Sequence, residues 1–112
     1  MKKIECIIRP MKLEQVKIAL GESGVTGMTV DDVRGAGRQG GIRENFLGEG
    51  YVIDYPAKIR LEMIVRNEEV DDIVETVLAH ARTGEPGDGM IFIQSLEDAI
   101  RIRTEDRGDE AI

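Results

Sequence analysis

Two arginines near the end of the chain, Arg101 and Arg103, are the residues best suited to binding chemistry. They alternate with isoleucines, which predicts an extended segment with both guanidinium groups on one side. A guanidinium can bind a phosphate through two parallel hydrogen bonds, and Arg38 offers a third such group. The pattern indicates a phosphate site, with a solvated surface or ion pairs to Glu97 and Glu105 as the alternative.

A second candidate binding element is the segment of residues 83–89, which reads TGEPGDG. Gly87 and Gly89 allow unusual dihedral angles, so successive backbone N–H groups can form a concave anion site. The pattern of a Walker phosphate loop is absent from the sequence. Taken alone, the segment is more simply a helix end followed by a turn.

Groups that could support catalysis are scarce. The sequence shows no Ser-His-Asp, Cys-His or paired-carboxylate arrangement. His80, the only histidine, has no partner at metal-ligand spacing, so a packing or surface role is favoured. Cys6, the only cysteine, lies in an apolar run and is expected to be a buried thiol. The sequence therefore favours a binding protein over an enzyme.

The elements that must position these residues follow from hydrophobic periodicity. Gly21 and Gly24 are the expected stops of the first helix. In chain order we predict a strand over residues 3–9, a helix over 13–20, a strand over 25–34, a strand over 59–66, a helix over 70–81 and a short buried strand over 90–93.

A glycine-rich segment of about twenty residues, 35–56, separates the two halves of this pattern. Its six glycines are expected to deny it a stable helix or strand of its own. Compact domains rarely keep so long a loop without a use for it, so a functional loop is favoured over a disordered insertion.

The order strand–helix–strand, loop, strand–helix–strand predicts an α+β fold, the ferredoxin-like βαββαβ sandwich with both helices on one face of an antiparallel sheet. We predict a single domain over residues 1–112, with a flexible loop at about 37–55 and a tail at about 104–112. With no third helix to cover the other face, self-association is expected.

Composition narrows the classes of partner. The net charge of −7 and the pI near 4.7 argue against nucleic acid and anionic membranes, which require a basic surface. No segment approaches the ~20 apolar residues of a membrane span, and no signal peptide is recognisable. A cytoplasmic location is expected.

Three stretches together resemble the PII nitrogen-regulatory signal-transduction proteins: RGAGRQGG…GEGY, TGEPGDGMIFI and IRIRTEDRGDEAI. The resemblance covers essentially the whole chain. It implies a homotrimer that binds ATP or ADP in clefts between subunits and senses 2-oxoglutarate beside Mg-ATP. It further implies an allosteric regulator without enzymatic turnover, whose loop 37–55 docks onto a transporter, enzyme or regulator of nitrogen metabolism.

The resemblance also implies roles for individual residues. Gln39 would contact Mg²⁺, and Tyr51 matches a tyrosine that some members carry as a uridylylation site. The residues expected to bind 2-oxoglutarate are Gln39, Gly41, Lys58 and Gly87. The residues expected to bind the nucleotide are Thr29, Gly35, Arg38, Glu62, Gly87, Asp88, Gly89, Arg101 and Arg103, of which Thr29, Gly35 and Glu62 lie near the adenine and ribose.

Several positions depart from the family pattern. Met90 stands where the family usually has a phosphate-binding lysine, and Glu85 also replaces a common lysine. Losing one charge-assisted hydrogen bond of ~1.5–3 kcal/mol would weaken nucleotide affinity about ten- to a hundred-fold. Phe46 lacks a hydroxyl, and Leu47 replaces an arginine that plugs the pore of ammonium channels in family complexes. Channel blocking and modification of the loop tyrosine are therefore doubtful.

Three other functions stay open at the level of sequence. The first is a specialised PII-like sensor of AMP, ADP or bicarbonate that controls carbon metabolism or transport. Met90 favours this reading, whereas the retained Gln39 and Lys58 disfavour it. The second is a trimeric metal-handling protein on the same fold, and the third is a slow ATPase. The lack of clustered ligands and of a general base counts against these two.

Overall fold

The computed structural model describes residues 1–35 and 56–112 with their side chains, and residues 42–46 and 49–53 by their backbone alone. None of the described helices is both long and apolar enough to cross a membrane. In chain order the helices and strands are β1 (Lys2–Ile8), α1 (Leu13–Glu22), β2 (Thr29–Arg34), β3 (Ile42–Phe46), β4 (Glu49–Ile53), β5 (Ala57–Val65), α2 (Val70–Ala81) and β6 (Met90–Ser95).

The main sheet has four strands in the order β2-β5-β1-β6, and every neighbouring pair is antiparallel. The two central strands, β1 and β5, come from different halves of the chain and pair along seven positions, from Lys2 opposite Val65 to Ile8 opposite Ile59. With both helices packed on one face, this confirms the predicted ferredoxin-like α+β fold.

The hydrophobic core lies between the helices and one face of the sheet. Alternate residues of β1 and β5 point into it, because successive side chains of a strand face opposite sides. Each fully buried aliphatic side chain contributes about 1.5–3 kcal/mol to folding. The core consists of Ile4, Cys6, Ile8, Val16, Leu20, Ile59, Leu61, Met63, Val65, Ile73, Val77 and Ala81.

Cys6 is buried in this core, as the sequence predicted. Burial raises the pKa of its thiol to about 11, with a smaller contribution from the neighbouring Glu5 carboxylate. A thiol with so high a pKa is protonated at neutral pH and therefore a poor nucleophile.

The central segment was predicted to have no strand of its own, and this is wrong. β3 and β4 pair as an antiparallel hairpin, from Ile42 opposite Ile53 to Phe46 opposite Glu49. Glycine lowers strand propensity but does not forbid pairing, and Gly50 lies within β4. At the base of the segment, the Gly35 amide donates to the Pro56 carbonyl at 3.3 Å.

Three predicted boundaries also need correction. Helix α1 continues through Gly21 to Glu22, because only Gly24 has the positive φ (93°) that ends a helix. Strand β2 begins at Thr29, since residues 25–28 do not pair with β5. Strand β6 extends to Ser95 and is largely exposed, as it lies at the sheet edge with β1 as its one neighbour.

The prediction that Arg101 and Arg103 share an extended segment is wrong. Residues 102–104 form a turn, and Ile100 pairs with Arg107 across it. The turn is closed by two backbone hydrogen bonds, from the Arg101 amide to the Asp106 carbonyl (2.9 Å) and from the Glu105 amide to the Arg101 carbonyl (2.7 Å). We call residues 98–108 the C-terminal hairpin. This hairpin stands in place of the extended segment that was predicted for Arg101 and Arg103.

Candidate functional site

A cleft of about 590 Å³ lies beside the edge of the sheet, between the segment that leads into β2, the end of β5 and the C-terminus. Three of the predicted nucleotide residues, Thr29, Glu62 and Arg101, line this cleft together. They supply a hydroxyl, a carboxylate and a guanidinium, next to apolar surface from Ile64 and Ile73. The cleft is lined by polar and charged side chains as well as apolar ones, and its volume is in the range of small-molecule sites.

Glu62 is held in place from the neighbouring central strand. Its carboxylate lies 3.3 Å from the Lys3 ammonium, and both side chains are only partly exposed. The pair spans β5 and β1 on the sheet face opposite the helices, where Lys3 is opposite Ile64. A carboxylate fixed in this way keeps lone pairs available for hydroxyl donors in the cleft.

The segment of residues 83–89 forms a second structure, which we call the glycine turn. The Asp88 carboxylate accepts hydrogen bonds from the backbone amides of Thr83 and Gly84, both at 2.8 Å, and from the Thr83 hydroxyl. These bonds, led by that of the Thr83 hydroxyl, hold the pKa of Asp88 well below its usual range. The Asp88 side chain therefore organises the turn from within.

Two glycines give the turn its shape. Gly87 and Gly89 have φ angles of 100° and 105°, in the region that other residues rarely adopt. A Cβ on Gly89 would also lie 1.7 Å from the carbonyl oxygen of Ile7 in β1. The turn is thus pressed against the central sheet, and no side chain can be accommodated at its last residue.

Lys58 connects β5 to the glycine turn. Its side chain is only 7% exposed, and its ammonium donates to the Gly87 carbonyl at 2.5 Å. Burial lowers the pKa of Lys58, and the nearby Arg9 lowers it further, while Asp88 acts in the opposite direction. A largely buried ammonium group beside the glycine turn is suited to binding an anionic ligand.

Arg9 is the functional-site residue that sequence reasoning missed. Its guanidinium donates to Asp88 Oδ1 at 3.0 Å and to the Pro86 carbonyl at 2.7 Å. In the sequence, Arg9 is marked only by its place between a buried strand and Pro10. That pattern is too common to indicate a site. Arg9 and Lys58 thus both contact the glycine turn, Arg9 at Asp88 and Pro86 and Lys58 at Gly87.

The arginines of the C-terminal hairpin have different surroundings. Arg101 lines the cleft, whereas Arg103 lies on the exposed turn and lines neither of the two cavities described in this section. Within the described residues, neither arginine forms an ion pair. The alternative prediction, that they pair with Glu97 and Glu105, is therefore wrong.

The predicted ligand residues therefore fall into two groups on one chain. Thr29, Glu62 and Arg101 surround the cleft, whereas Lys58 and residues 87–89 surround the glycine turn. Lys58 and Glu62 are four residues apart on β5, which corresponds to about 13 Å. One chain does not bring the two groups together.

Other predicted residues fall outside these groups or outside the description. Gly35 lies next to Pro56 at the base of the central segment. Arg38, Gln39, Gly41 and the side chain of Tyr51 lie outside the described residues. In the part that is described, no three His, Cys, Asp or Glu side chains cluster as metal ligands. His80 is exposed, with Nδ1 2.8 Å from the Thr76 carbonyl oxygen within α2.

A second cavity of about 440 Å³ lies between β6 and α2. Its walls are largely apolar and include Val77, Leu78 and Ile93, with Asp88 and Gly89 at one end. Met90, the residue that replaces the family lysine, lines this cavity and is 62% exposed. The apolar side chain beside the glycine turn thus lies where a cation is otherwise expected.

The fold and the two groups of ligand-type residues define a small α+β binding domain of the ferredoxin-like class. The family model described as "Nitrogen regulatory protein P-II" matches residues 1–106. The chain is similar to P-II proteins of Nostoc punctiforme (50% identity, all of both chains) and Pyropia yezoensis (53%, all of both chains). It is also 50% identical to P-II 2 of Methanothermobacter thermautotrophicus, over all of this chain and 97% of the relative. The chain therefore belongs to the nitrogen regulatory P-II family, whose members are regulatory signalling proteins.

Proposed function

We propose that the protein is a cytoplasmic allosteric sensor that binds ATP or ADP, and 2-oxoglutarate with Mg²⁺, between the subunits of a homotrimer. Its output is the regulation of nitrogen-metabolism partners through the loop at residues 37–55. The protein works by binding and release, without turnover of the nucleotide.

The observation that carries this proposal is the separation of the ligand residues into two groups on one chain. The cleft offers a carboxylate, a hydroxyl and Arg101, which suit a nucleoside and a phosphate. The glycine turn has two cations beside it, Arg9 and Lys58, and glycines that let a ligand approach the backbone closely, which suit phosphates. Neither group is a complete nucleotide site, but the cleft of one subunit against the turn of its neighbour would make one.

The uncovered sheet face supports assembly into a trimer. On this face two pairs of opposite charges already lie within the chain: Lys3 pairs with Glu62 at 3.3 Å and Arg60 with Asp31 at 2.6 Å. Phe92, 47% exposed, lies on the same face opposite Glu5. Burying paired charges and an aromatic ring between copies costs far less than burying isolated charges.

Lys58 is the residue that we assign to 2-oxoglutarate. Its ammonium is largely buried beside the glycine turn, where it bonds the Gly87 carbonyl, and a ligand carboxylate there would form a charge-assisted hydrogen bond with it. Mg²⁺ keeps few protein ligands when phosphates are present, so the absence of a carboxylate cluster from the described residues is compatible with a metal held by phosphates and Gln39. Bound there, the metal would neutralise the charge between phosphates and the dicarboxylate.

Ligand binding reaches a partner through the central segment, whose ends meet beside these residues. The Gly35 amide and the Pro56 carbonyl close its base, two residues from Lys58. A ligand that binds one arrangement of the segment better shifts its population by the difference in affinity. A shift from mostly one state to mostly the other requires about 5.5 kcal/mol, more than one lysine–carboxylate pair supplies. The metal and backbone N–H groups must contribute most of it.

The proposal is tested by calorimetric titration of the pure protein with ATP, ADP and AMP, followed by 2-oxoglutarate in the presence of ATP and Mg²⁺. We expect binding of ATP and ADP, and binding of 2-oxoglutarate only when ATP and Mg²⁺ are present. Light scattering at micromolar concentration should give the mass of three chains. A monomer, or an absence of heat with every nucleotide, would contradict the proposal.

A second candidate function, sensing of AMP, ADP or bicarbonate in the control of carbon metabolism or transport, is favoured by the apolar surroundings of Met90. Met90→Lys separates the two. If the protein is an ATP sensor with one missing phosphate contact, the lysine should tighten ATP binding about tenfold or more. If affinity for ATP stays flat while AMP binds tightly to the wild type, the second function is favoured.

A further inference from the structure

The C-terminal hairpin, residues 98–108, is held at its base by one acidic side chain. Asp98 Oδ2 accepts from the Arg107 guanidinium, at 2.9 Å from Nε and 2.8 Å from Nη2. Asp98 Oδ1 accepts from the backbone amides of Ala99 (2.8 Å) and Gly108 (3.1 Å). The carboxylate therefore bonds both strands of the hairpin, with the guanidinium on one oxygen and the two backbone amides on the other.

The two strands joined by Asp98 both continue into the cleft. One strand carries Arg101, and the other leads past Gly108 to Ala111 and Ile112, which line the cleft opposite it. Within the described residues, few other side-chain bonds hold this part of the chain. The Thr104 hydroxyl bonds Asp106 at the tip, and Arg66 reaches the Asp109 carbonyl at 3.4 Å.

The tip of the hairpin is in an uncommon conformation. Glu105 has a φ of 63°, the one positive value among the described residues other than glycine. A backbone in this region persists when the surrounding structure enforces it, and such positions concentrate at functional sites. In this hairpin the Glu105 amide bonds the Arg101 carbonyl at 2.7 Å and the Asp98–Arg107 pair closes the base, so both support the conformation that carries Arg101 and Arg103.

We propose that Asp98 and Arg107 are positioning residues for nucleotide binding: their ion pair fixes the hairpin so that Arg101 and Arg103 face the phosphates. The inference rests on the proposed function, since it assumes that the two arginines bind nucleotide. Neither Asp98 nor Arg107 lines the cleft, so both act through the hairpin. The charge of Asp98 is needed as well as its shape. An asparagine at position 98 could still accept from the two backbone amides, but it would not form the ion pair with Arg107.

The test is a double-mutant cycle with ADP as the probe. Asp98→Asn should weaken ADP binding about five- to tenfold in the wild-type background, and less than about twofold in the Arg101→Ala, Arg103→Ala background. Arg107→Gln should reproduce both results. Arg107→Lys, which keeps the positive charge and leaves Asp98 able to accept from both backbone amides, should retain most of the wild-type affinity. Glu14→Gln, which removes an exposed ion pair with Lys17 on α1, is the matched control and should leave affinity unchanged.

An unchanged affinity in Asp98→Asn, or equal weakening in both backgrounds, would overturn the inference. Hydrogen exchange on the free protein separates its failure from failure of the proposed function. Asp98→Asn should speed exchange of the Arg101, Glu105 and Gly108 amides whether or not nucleotide binds. A wild type that binds no ADP and whose hairpin amides exchange fast would contradict the proposed function. Unchanged amide exchange in Asp98→Asn would contradict the positioning role of Asp98.

Discussion

The glycine turn and the C-terminal hairpin share the same local arrangement of hydrogen bonds, but they are anchored to the rest of the structure differently. In each, one aspartate accepts two backbone amides and an arginine, with Asp88 serving the turn and Asp98 the hairpin. The turn is pressed against the central sheet, where Gly89 meets the Ile7 carbonyl and Lys58 holds Gly87. The hairpin is supported by exposed groups.

The difference predicts two roles in the proposed nucleotide site. A turn anchored to two central strands is a fixed platform for the groups that would meet the phosphates. A hairpin held by its own backbone hydrogen bonds and one exposed ion pair belongs to the part of the structure that opens at low cost in free energy. We expect substitutions in the turn to lower the stability of the fold, and substitutions in the hairpin to lower nucleotide affinity.

The largest effect that this comparison predicts is that of Gly89→Ala. The added Cβ cannot avoid the Ile7 carbonyl, so the free energy of unfolding should fall by at least about 3 kcal/mol. Two controls separate the causes in denaturant unfolding. Gly84→Ala has a positive φ but open space and should cost about 1–2 kcal/mol. Gly27→Ala, with neither problem, should change stability by less than about 1 kcal/mol. Equal losses in all three would contradict the fixed platform.

Next in size is the loss of the 2-oxoglutarate response in Lys58→Ala. Removing the buried ammonium deletes the carboxylate partner and one bond to the glycine turn but leaves the cleft intact, so ATP should still bind, with a much smaller loss of affinity than 2-oxoglutarate shows. Hydrogen exchange across residues 37–55 should slow when 2-oxoglutarate and Mg²⁺ join ATP in the wild type, and should not change in the variant. Lys17→Ala, which removes an exposed lysine from α1, is the control. Identical exchange in the wild type under both conditions would rule out this mechanism.

Arg101→Ala and Arg103→Ala should each weaken nucleotide binding by about 1.5–3 kcal/mol, or roughly ten- to a hundred-fold, with little change in stability. Both side chains are exposed, so neither contributes to the core. Calorimetry gives the affinities, and thermal melting checks the fold. Unchanged affinity in both variants would make the two arginines ordinary surface charges and would remove the hairpin from the site.

The smallest predicted effect is the pH dependence that Asp88 contributes to stability. Its pKa lies below the usual value of 3.8, so its contribution is fully present above that value and is lost as pH falls towards its lowered pKa. The denaturant midpoint of wild type should therefore exceed that of Asp88→Asn at pH 7, and the gap should close below about pH 4. A gap that stays constant down to pH 2 would contradict the internal role of this carboxylate.

Much of the fold was readable from the sequence, because burial imposes periodicity. The alternation in β5 and the helical spacing over Val70–Ala81 both reflect one buried face, and the structure confirms them. The site was less readable. Arg101 and Arg103 were placed on an extended segment, but the bonds of Asp98 that fold them into a hairpin come from residues several positions away. Arg9 was missed because its partners lie more than seventy residues along the chain.

The central claim is that each nucleotide site is made by two subunits, and mixed trimers test it most directly. Arg101→Ala alters the cleft half. Arg38→Ala alters the other half, to which we assign Arg38 because it follows Gly35 by three positions, and Gly35 closes the base of the central segment near Lys58. Each variant alone should have no tight ADP site. When the two are unfolded and reassembled together at equal concentration, about a quarter of the sites should combine an intact cleft with an intact neighbouring turn and bind ADP with wild-type affinity. Recovery of no tight sites in trimers shown to be mixed would contradict the account.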